Sequence, residues 1–153
     1  MTEVYRLVKA ARAEDVVSGE GARSFGGRWN PAGWPVVYAS GSRALAVLES
    51  FVHLTREARG MHFLLYEINL PGRARLRRYA NMLSAHGPPA LTSSQEAGRT
   101  WLEDGATLAL VVPSIIVPKE TNYVLNVRHP QFARLKIAEP EPFSFDERLW
   151  QSK

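Results

Sequence analysis

Three residues of this chain carry side chains suited to ionic chemistry, and each lies in a segment that would hold it firmly. Arg28 lies in the glycine-rich sequence GGRWN, Tyr38 near the end of the apolar sequence VVYAS, and Glu49 in the apolar sequence ALAVLESFVH. Arginine offers a planar set of donors that matches phosphate geometry. Taken separately, each residue has an ordinary explanation: a solvated arginine, a core tyrosine and a structural ion-pair glutamate. Their combination makes a candidate site.

Glu49 is the most informative of the three. Residues three and four apart are neighbours on a helix, so Glu49 shares a face with Leu45 and Val52. This places its carboxylate near the apolar stripe rather than opposite it. Because an isolated buried charge is very costly, we expect an arginine or a bound cation as its partner.

The elements that position these residues are short and irregularly ordered. Apolar residues recurring at helical spacing predict a helix over residues 42–59, begun by Ser40 or Ser42 and ended by Gly60. Further helices are predicted at 73–85 and, from a capping box, at 93–104. Strands are predicted at 4–8, 36–39, 62–70, 107–112, 114–117, 123–127 and 134–137, with a long functional loop at 18–35. This order lacks a regular βαβ alternation and indicates an α+β fold.

Composition narrows the function classes. The chain has 153 residues, which suits one domain over residues 1–153, and it has no cysteine, which excludes disulfides and thiol chemistry. We expect no membrane span and no signal peptide. The net charge of +4 favours an anionic partner. Four arginines would form a basic face on the second predicted helix: Arg73, Arg75, Arg77 and Arg78. Such a face is more often solvated than a phosphate-binding site.

Familiar catalytic motifs are absent from the sequence. The glycines Gly19 and Gly21 do not complete a dinucleotide fingerprint, because Ser24 stands where the third glycine belongs. There is no phosphate-binding P-loop, no zinc-protease motif and no hydrolase serine elbow. The histidines are isolated in the sequence and give no reason to expect a metal: His53, His62, His86 and His129.

Several of these segments, in their order and spacing, resemble the RES domain family, the toxin half of RES–Xre toxin–antitoxin pairs. The resembling sequences are YRLV, GGRWNPAGWPVVYAS, ALAVLESFVH and VVPSIIVPKETNYVLNVRHP, and they extend from about residue 4 to about residue 137. The family is named for an arginine, a glutamate and a serine. Arg28 and Glu49 match the first two, and Ser114 is our choice for the third, with Ser40 and Ser42 as alternatives.

The resemblance implies a compact ADP-ribosyltransferase-like fold of short twisted strands with flanking helices. It implies that NAD+ is the substrate, not a permanently bound cofactor, and that its nicotinamide–ribose bond is cleaved. The site residues carried over are Glu49 and Arg28 as catalytic residues, and Arg6, Arg28, Tyr38, Ser114 and Asn126 as NAD+-binding residues.

The resemblance also implies a partner antitoxin with an Xre-type helix-turn-helix module. The absence of cysteine suits a cytoplasmic location, and because no basic–aromatic stacking strip stands out we expect no direct nucleic-acid binding by this chain. The acceptor of ADP-ribose stays open between water, phosphate and a protein target, so the outcome is NAD+ depletion or ADP-ribosyl transfer. Two other classes stay open: a nucleic-acid-binding or RNA-cleaving toxin, suggested by the basic balance, and a catalytically silent binding module.

Overall fold

A mixed β-sheet forms the centre of the protein in a computed structural model, which describes residues 2–79, 91–151 and 153. Within these residues the sheet has eight strands in the order β4-β5-β6-β2-β1-β3-β7, and β8 also pairs with β3. All neighbours are antiparallel except β4 and β5. The strands are β1 (Glu3–Lys9), β2 (Val36–Ser40), β3 (Phe63–Asn69), β4 (Leu76–Arg78), β5 (Ala109–Pro113), β6 (Thr121–Asn126), β7 (Lys136–Ile137) and β8 (Glu141–Phe143).

The sheet has a seam between β1 and β2. Strand β1 pairs with β3 along its whole length, and β2 pairs with β6 along its whole length. Between β1 and β2 the register has a single partner pair, Tyr5 with Ser40. The sheet therefore consists of two parts: a β3 half-sheet (β1, β3, β7 and β8) and a β6 half-sheet (β2, β6, β5 and β4).

Four α-helices are described with the sheet, and two of them cover one of its faces. The helices are α1 (Glu20–Phe25), α2 (Arg43–Phe51), α3 (Leu91–Asp104) and α4 (Glu147–Trp150). Helix α2 packs Ala46 against Tyr5 and Leu7 of the β3 half-sheet. Helix α3 packs Trp101 and Leu102 against the β6 half-sheet.

A third apolar cluster lies on the opposite face of the sheet, because successive strand residues point to opposite faces. Val4, Val37, Ile68 and Leu125 are among its fully buried members. Burying one such side chain stabilises the fold by about 1.5–3 kcal/mol. Each half-sheet thus contributes to cores on both faces. Within the described residues, no helix combines the length and apolar character that a bilayer crossing requires.

The structure corrects the predicted limits of the central helix. Ser42 begins it as predicted, because its side chain accepts a hydrogen bond from the Leu45 N–H. The helix ends at Phe51 instead of residue 59, and a separate short 3-10 helix follows at Arg56–Ala58. Gly60 lies after that second helix. The carbonyls of Phe51 and Leu54 instead receive hydrogen bonds from the Lys153 ammonium, a contact between distant parts of the chain.

Other predicted elements also differ from the structure. The predicted loop at 18–35 contains α1. The predicted helix at 73–85 is wrong at its start, where β4 pairs with β5, and its end lies within residues 80–90, outside the described residues. The capping box is wrong as well, since α3 already begins at Leu91. Residues 114–117 bend instead of forming a strand, and residues 134–137 divide between a 3-10 helix and β7.

Candidate active site

Glu49 lies in the last two turns of α2, and one of its two carboxylate oxygens is hydrogen-bonded within the described residues. Its Oε1 accepts hydrogen bonds from the Ser114 hydroxyl, at 2.6 Å, and from the Asn122 amide, at 2.8 Å. Within the described residues Oε2 has no hydrogen-bond partner and no arginine or lysine forms an ion pair with Glu49, so the ion-pair partner expected from the sequence is not observed. Neutral donors instead hold the carboxylate, and one of its oxygens is left for another group.

Ser114 is fixed as a donor to Glu49. It follows β5, is fully buried, and its Oγ accepts hydrogen bonds from the backbone N–H groups of Ile116 and Val117, at 3.1 and 2.9 Å. A serine hydroxyl has one proton and two lone pairs. Because both lone pairs are used, its proton is directed at the Glu49 carboxylate.

Asn122 is a second anchor of Glu49, and the sequence analysis missed it. It lies opposite Ser40 in the register of β2 and β6, and the Ser40 hydroxyl donates to its Oδ1 at 2.7 Å. This contact fixes the amide so that its N–H faces Glu49. An asparagine within an apolar strand was the available signal, but only the strand register shows its neighbours.

Tyr38 joins β2 to the glycine-rich turn. Its hydroxyl donates to Asn30 Oδ1 at 2.6 Å and accepts from the Trp29 N–H at 3.1 Å. Burial raises the pKa of Tyr38 to about 12, although the Trp29 N–H and the Arg28 charge act in the opposite direction. A side chain at position 27 would collide with this hydroxyl, since a Cβ built on Gly27 lies 2.7 Å from it. The tyrosine thus stays protonated and fixes the turn.

The turn itself presents Arg28 to solvent. Gly27 and Asn30 pair across it, with the Gly27 N–H donating to the Asn30 carbonyl at 2.9 Å. Asn30 is fully buried, and its amide donates to the carbonyls of Ala22 and Pro31 at 3.0 and 3.1 Å. Arg28 is exposed and has no salt bridge within the described part of the chain. A rigid backbone therefore carries a guanidinium that is available to an anion.

Arg6 spans the seam between the half-sheets. It belongs to β1, and one of its terminal nitrogens donates to the Tyr38 carbonyl of β2 at 2.7 Å. Its Nε is buried and has no hydrogen-bond partner among the described residues. Burial lowers the pKa of Arg6. Because Tyr5 pairs with Ser40 and successive strand residues alternate, Arg6 points to the sheet face opposite Ser40, and its buried Nε–H is not exposed to a ligand.

Arg28, Tyr38 and Glu49 belong to one face of the sheet. Tyr38 and Ser40 are two residues apart on β2 and so point to the same face. Ser40 connects to Glu49 through Asn122, while the Arg28 charge acts on the Tyr38 hydroxyl. Helix α2 and the glycine-rich turn therefore flank this stretch of β2, and we call this region the candidate site.

Asn126 lies apart from the candidate site. It pairs with Val36 at the far end of the β2–β6 register from Ser40, and its Oδ1 accepts a hydrogen bond from the Arg128 N–H. The structure gives it a role in the turn after β6. Among the serines considered, Ser114 touches Glu49 directly, Ser40 acts through Asn122, and Ser42 caps α2.

Surface cavities at two other places contain none of the predicted site residues. One of about 390 Å³ is lined by residues 69–72 and 133–136. Another of about 200 Å³ lies beside α4 and includes Trp150. Neither brings a carboxylate together with an unpaired arginine, so the candidate site rests on its hydrogen-bond geometry and not on cavity size.

The split mixed sheet and its flanking helices have a counterpart among solved structures. A crystal structure titled as the M. tuberculosis MbcT-MbcA toxin-antitoxin complex matches with a TM-score of 0.74, at 21% identity, over 99% of this chain and 87% of that one. This likeness shows the fold, and the predicted ADP-ribosyltransferase-like α+β fold is confirmed.

The family is shown by sequence. A family model described as "RES domain" matches residues 3–146, and the chain belongs to the RES domain family. The "Prs ADP-ribosylating toxin" of Sphingobium sp. (strain YBL2) is 36% identical over 97% of this chain and 96% of that protein. A "Toxin Res" from Yersinia enterocolitica is 34% identical over 95% and 98%, and one from Pseudomonas putida 40% over 88% and 92%. The predicted membership of a toxin family is confirmed.

Proposed function

We propose that this protein is the toxin of a toxin–antitoxin pair and that it binds NAD+ and cleaves its nicotinamide–ribose bond. The observation that carries the proposal is the carboxylate of Glu49, on the same sheet face as Tyr38 and the exposed Arg28. Within the described residues only its Oε1 is hydrogen-bonded, so Oε2 is available to a substrate. Family membership and the toxin names of the relatives support the toxin role. The reaction is our inference from the geometry.

The charges of NAD+ suit this arrangement. Its diphosphate is anionic, and the exposed guanidinium of Arg28 offers donors that an anion would satisfy. Its nicotinamide ring is cationic, and the face of an aromatic ring such as that of Tyr38 attracts a cation. The residues present therefore suit both the anionic diphosphate and the cationic nicotinamide ring of NAD+.

Bond cleavage places positive charge on the ribose. The bond between the anomeric carbon and the ring nitrogen breaks with both electrons going to nitrogen, so nicotinamide leaves neutral and needs no proton. The ribose carbon then resembles an oxocarbenium ion. The free Oε2 of Glu49 would stabilise this charge more in the transition state than in the ground state, while Ser114 and Asn122 hold Oε1 in place.

The ADP-ribosyl group then passes to an acceptor. Water or inorganic phosphate as the acceptor would deplete NAD+. Transfer to a protein is a second candidate, favoured by the name of the Sphingobium relative, an ADP-ribosylating toxin. The bond-breaking step is the same in each case.

An antitoxin partner is part of the proposal. The fold neighbour is a toxin in a toxin–antitoxin complex, and the resemblance implies an antitoxin of the Xre helix-turn-helix type. We propose that such a partner neutralises this chain.

A nicotinamide-release assay tests the reaction. Purified protein should release nicotinamide from NAD+, and Glu49→Gln should lower the rate by at least about a hundredfold, the usual effect of removing one preorganised electrostatic group. Glu57→Gln, on the exposed 3-10 helix after α2, is the matched control and should keep the wild-type rate. Wild-type turnover in Glu49→Gln would refute the role of this carboxylate.

The same assay distinguishes the acceptors. Stimulation by inorganic phosphate indicates phosphorolysis, and turnover without phosphate or protein indicates hydrolysis. A labelled protein band after incubation of labelled NAD+ with lysate indicates transfer. Absence of nicotinamide in every arm would refute NAD+ cleavage altogether.

A further inference from the structure

Helix α3 holds the glycine-rich turn by its backbone carbonyls. The Ser94 hydroxyl lies 2.5 Å from the Arg28 carbonyl, and the Gln95 amide donates to the Gly27 carbonyl at 2.8 Å. Ser94 is fully buried, so this contact is made away from solvent. Its oxygen also lies 3.0 Å from the Leu91 carbonyl within the helix, but its single proton favours the shorter contact.

The third carbonyl of the turn also lies against α3. A Cβ built on Gly98 would lie 1.6 Å from the Trp29 carbonyl oxygen, so only glycine allows this approach. Ser94 and Gly98 are four residues apart and therefore share one helix face. Three successive carbonyls thus meet the same helix, whereas the Arg28 side chain is exposed to solvent.

We propose that Ser94 and Gln95 are positioning residues of the candidate site, which set where Arg28 meets the anionic part of the substrate. Neither has a described contact with Glu49, so both act through Arg28. The inference rests on the proposed function for its kinetic test. Its structural test does not depend on that function.

The structural test is amide hydrogen exchange in the protein without substrate. We expect Ser94→Ala and Gln95→Glu to speed exchange in the turn at residues 26–30 while β3 keeps wild-type protection. Gln95→Glu keeps the size of the side chain but removes the donor, and its partly exposed position allows it to fold even if Ser94→Ala does not. Ser93→Ala, an exposed neighbour on the same turn of the helix, is the matched control.

The kinetic test is the KM for NAD+ in nicotinamide release. Losing one neutral hydrogen bond should raise KM about fivefold to tenfold with a smaller change in kcat. In an Arg28→Ala background the same substitutions should have almost no further effect, because they act through that arginine. Ser93→Ala should keep the wild-type KM.

The outcomes separate the two proposals. If the wild type releases no nicotinamide but exchange at 26–30 rises in the variants, the proposed reaction is refuted and the positioning role stands. If the wild type is active but Ser94→Ala and Gln95→Glu keep its KM and its exchange pattern, the positioning role is refuted. An undiminished effect on KM in the Arg28→Ala background would also refute it.

Discussion

Removing the Tyr38 hydroxyl tests how the candidate site is held together. Tyr38→Phe breaks the bonds to Asn30 and to the Trp29 N–H. Each neutral hydrogen bond contributes about 0.5–1.5 kcal/mol, and a buried polar atom left unpaired costs about 1–3 kcal/mol. Because Asn30 is fully buried, we expect the free energy of unfolding to fall by about 2–4 kcal/mol.

The pKa of the same hydroxyl gives an independent magnitude. It rises from 10.0 to about 12 in the folded protein, and two pKa units correspond to about 2.7 kcal/mol. Because the folded pKa is the higher one, this contribution is complete below about pH 10 and is lost as the pH rises towards about 12. The stability difference between wild type and Tyr38→Phe should therefore shrink by about 1.9 kcal/mol between about pH 9 and about pH 11.5.

Urea unfolding followed by circular dichroism measures both quantities. Tyr123→Phe is the control at neutral pH, because the Tyr123 hydroxyl makes no hydrogen bond within the described residues, and it should cost less than about 0.5 kcal/mol. A loss below about 0.5 kcal/mol in Tyr38→Phe at neutral pH would refute the packing argument. A stability difference that stays constant up to about pH 11.5 would refute the assigned burial of the hydroxyl.

Two further predictions concern contacts at the C-terminal end of α2. Ser114→Ala removes one hydrogen-bond donor from Glu49. Because hydrogen bonds to charged groups contribute about 1.5–3 kcal/mol, we expect nicotinamide release to slow by about ten- to a hundredfold. An unchanged rate would mean that Ser114 does not hold the carboxylate. Lys153→Met removes the ammonium that donates to the carbonyls of Phe51 and Leu54. We expect the free energy of unfolding to fall by about 1 kcal/mol, measured as a shift of the urea midpoint. An unshifted midpoint would contradict this role of Lys153.

The fold was predictable from sequence where local signals decide the structure. Ser42 begins α2 because a serine side chain can cap a helix without any distant partner. Its end was not predictable, since the carbonyls of Phe51 and Leu54 bind Lys153, about a hundred residues away. Strand β4 was missed for the same reason: three residues pair with β5, and helical spacing in the sequence says nothing of that partner.

The candidate site divides in the same way. Arg28, Tyr38 and Glu49 could be selected by residue type and neighbouring sequence, and the structure brings them to one face. Asn122 was missed because its importance depends on the β2–β6 register, which places it opposite Ser40, and on its contact with Glu49 of α2. The role of Asn30 in the turn could have been inferred from the sequence, because an asparagine after a glycine pair often closes a turn by hydrogen-bonding to nearby backbone.

The seam between β1 and β2 also runs through the candidate site. The helix that packs against the β3 half-sheet carries Glu49, whereas the β6 half-sheet and its connections supply its two hydrogen-bond donors, Ser114 and Asn122. The candidate site is therefore assembled across the seam and not within one half-sheet. A change in how the two half-sheets sit against each other would alter the distance between Glu49 Oε1 and both of its donors.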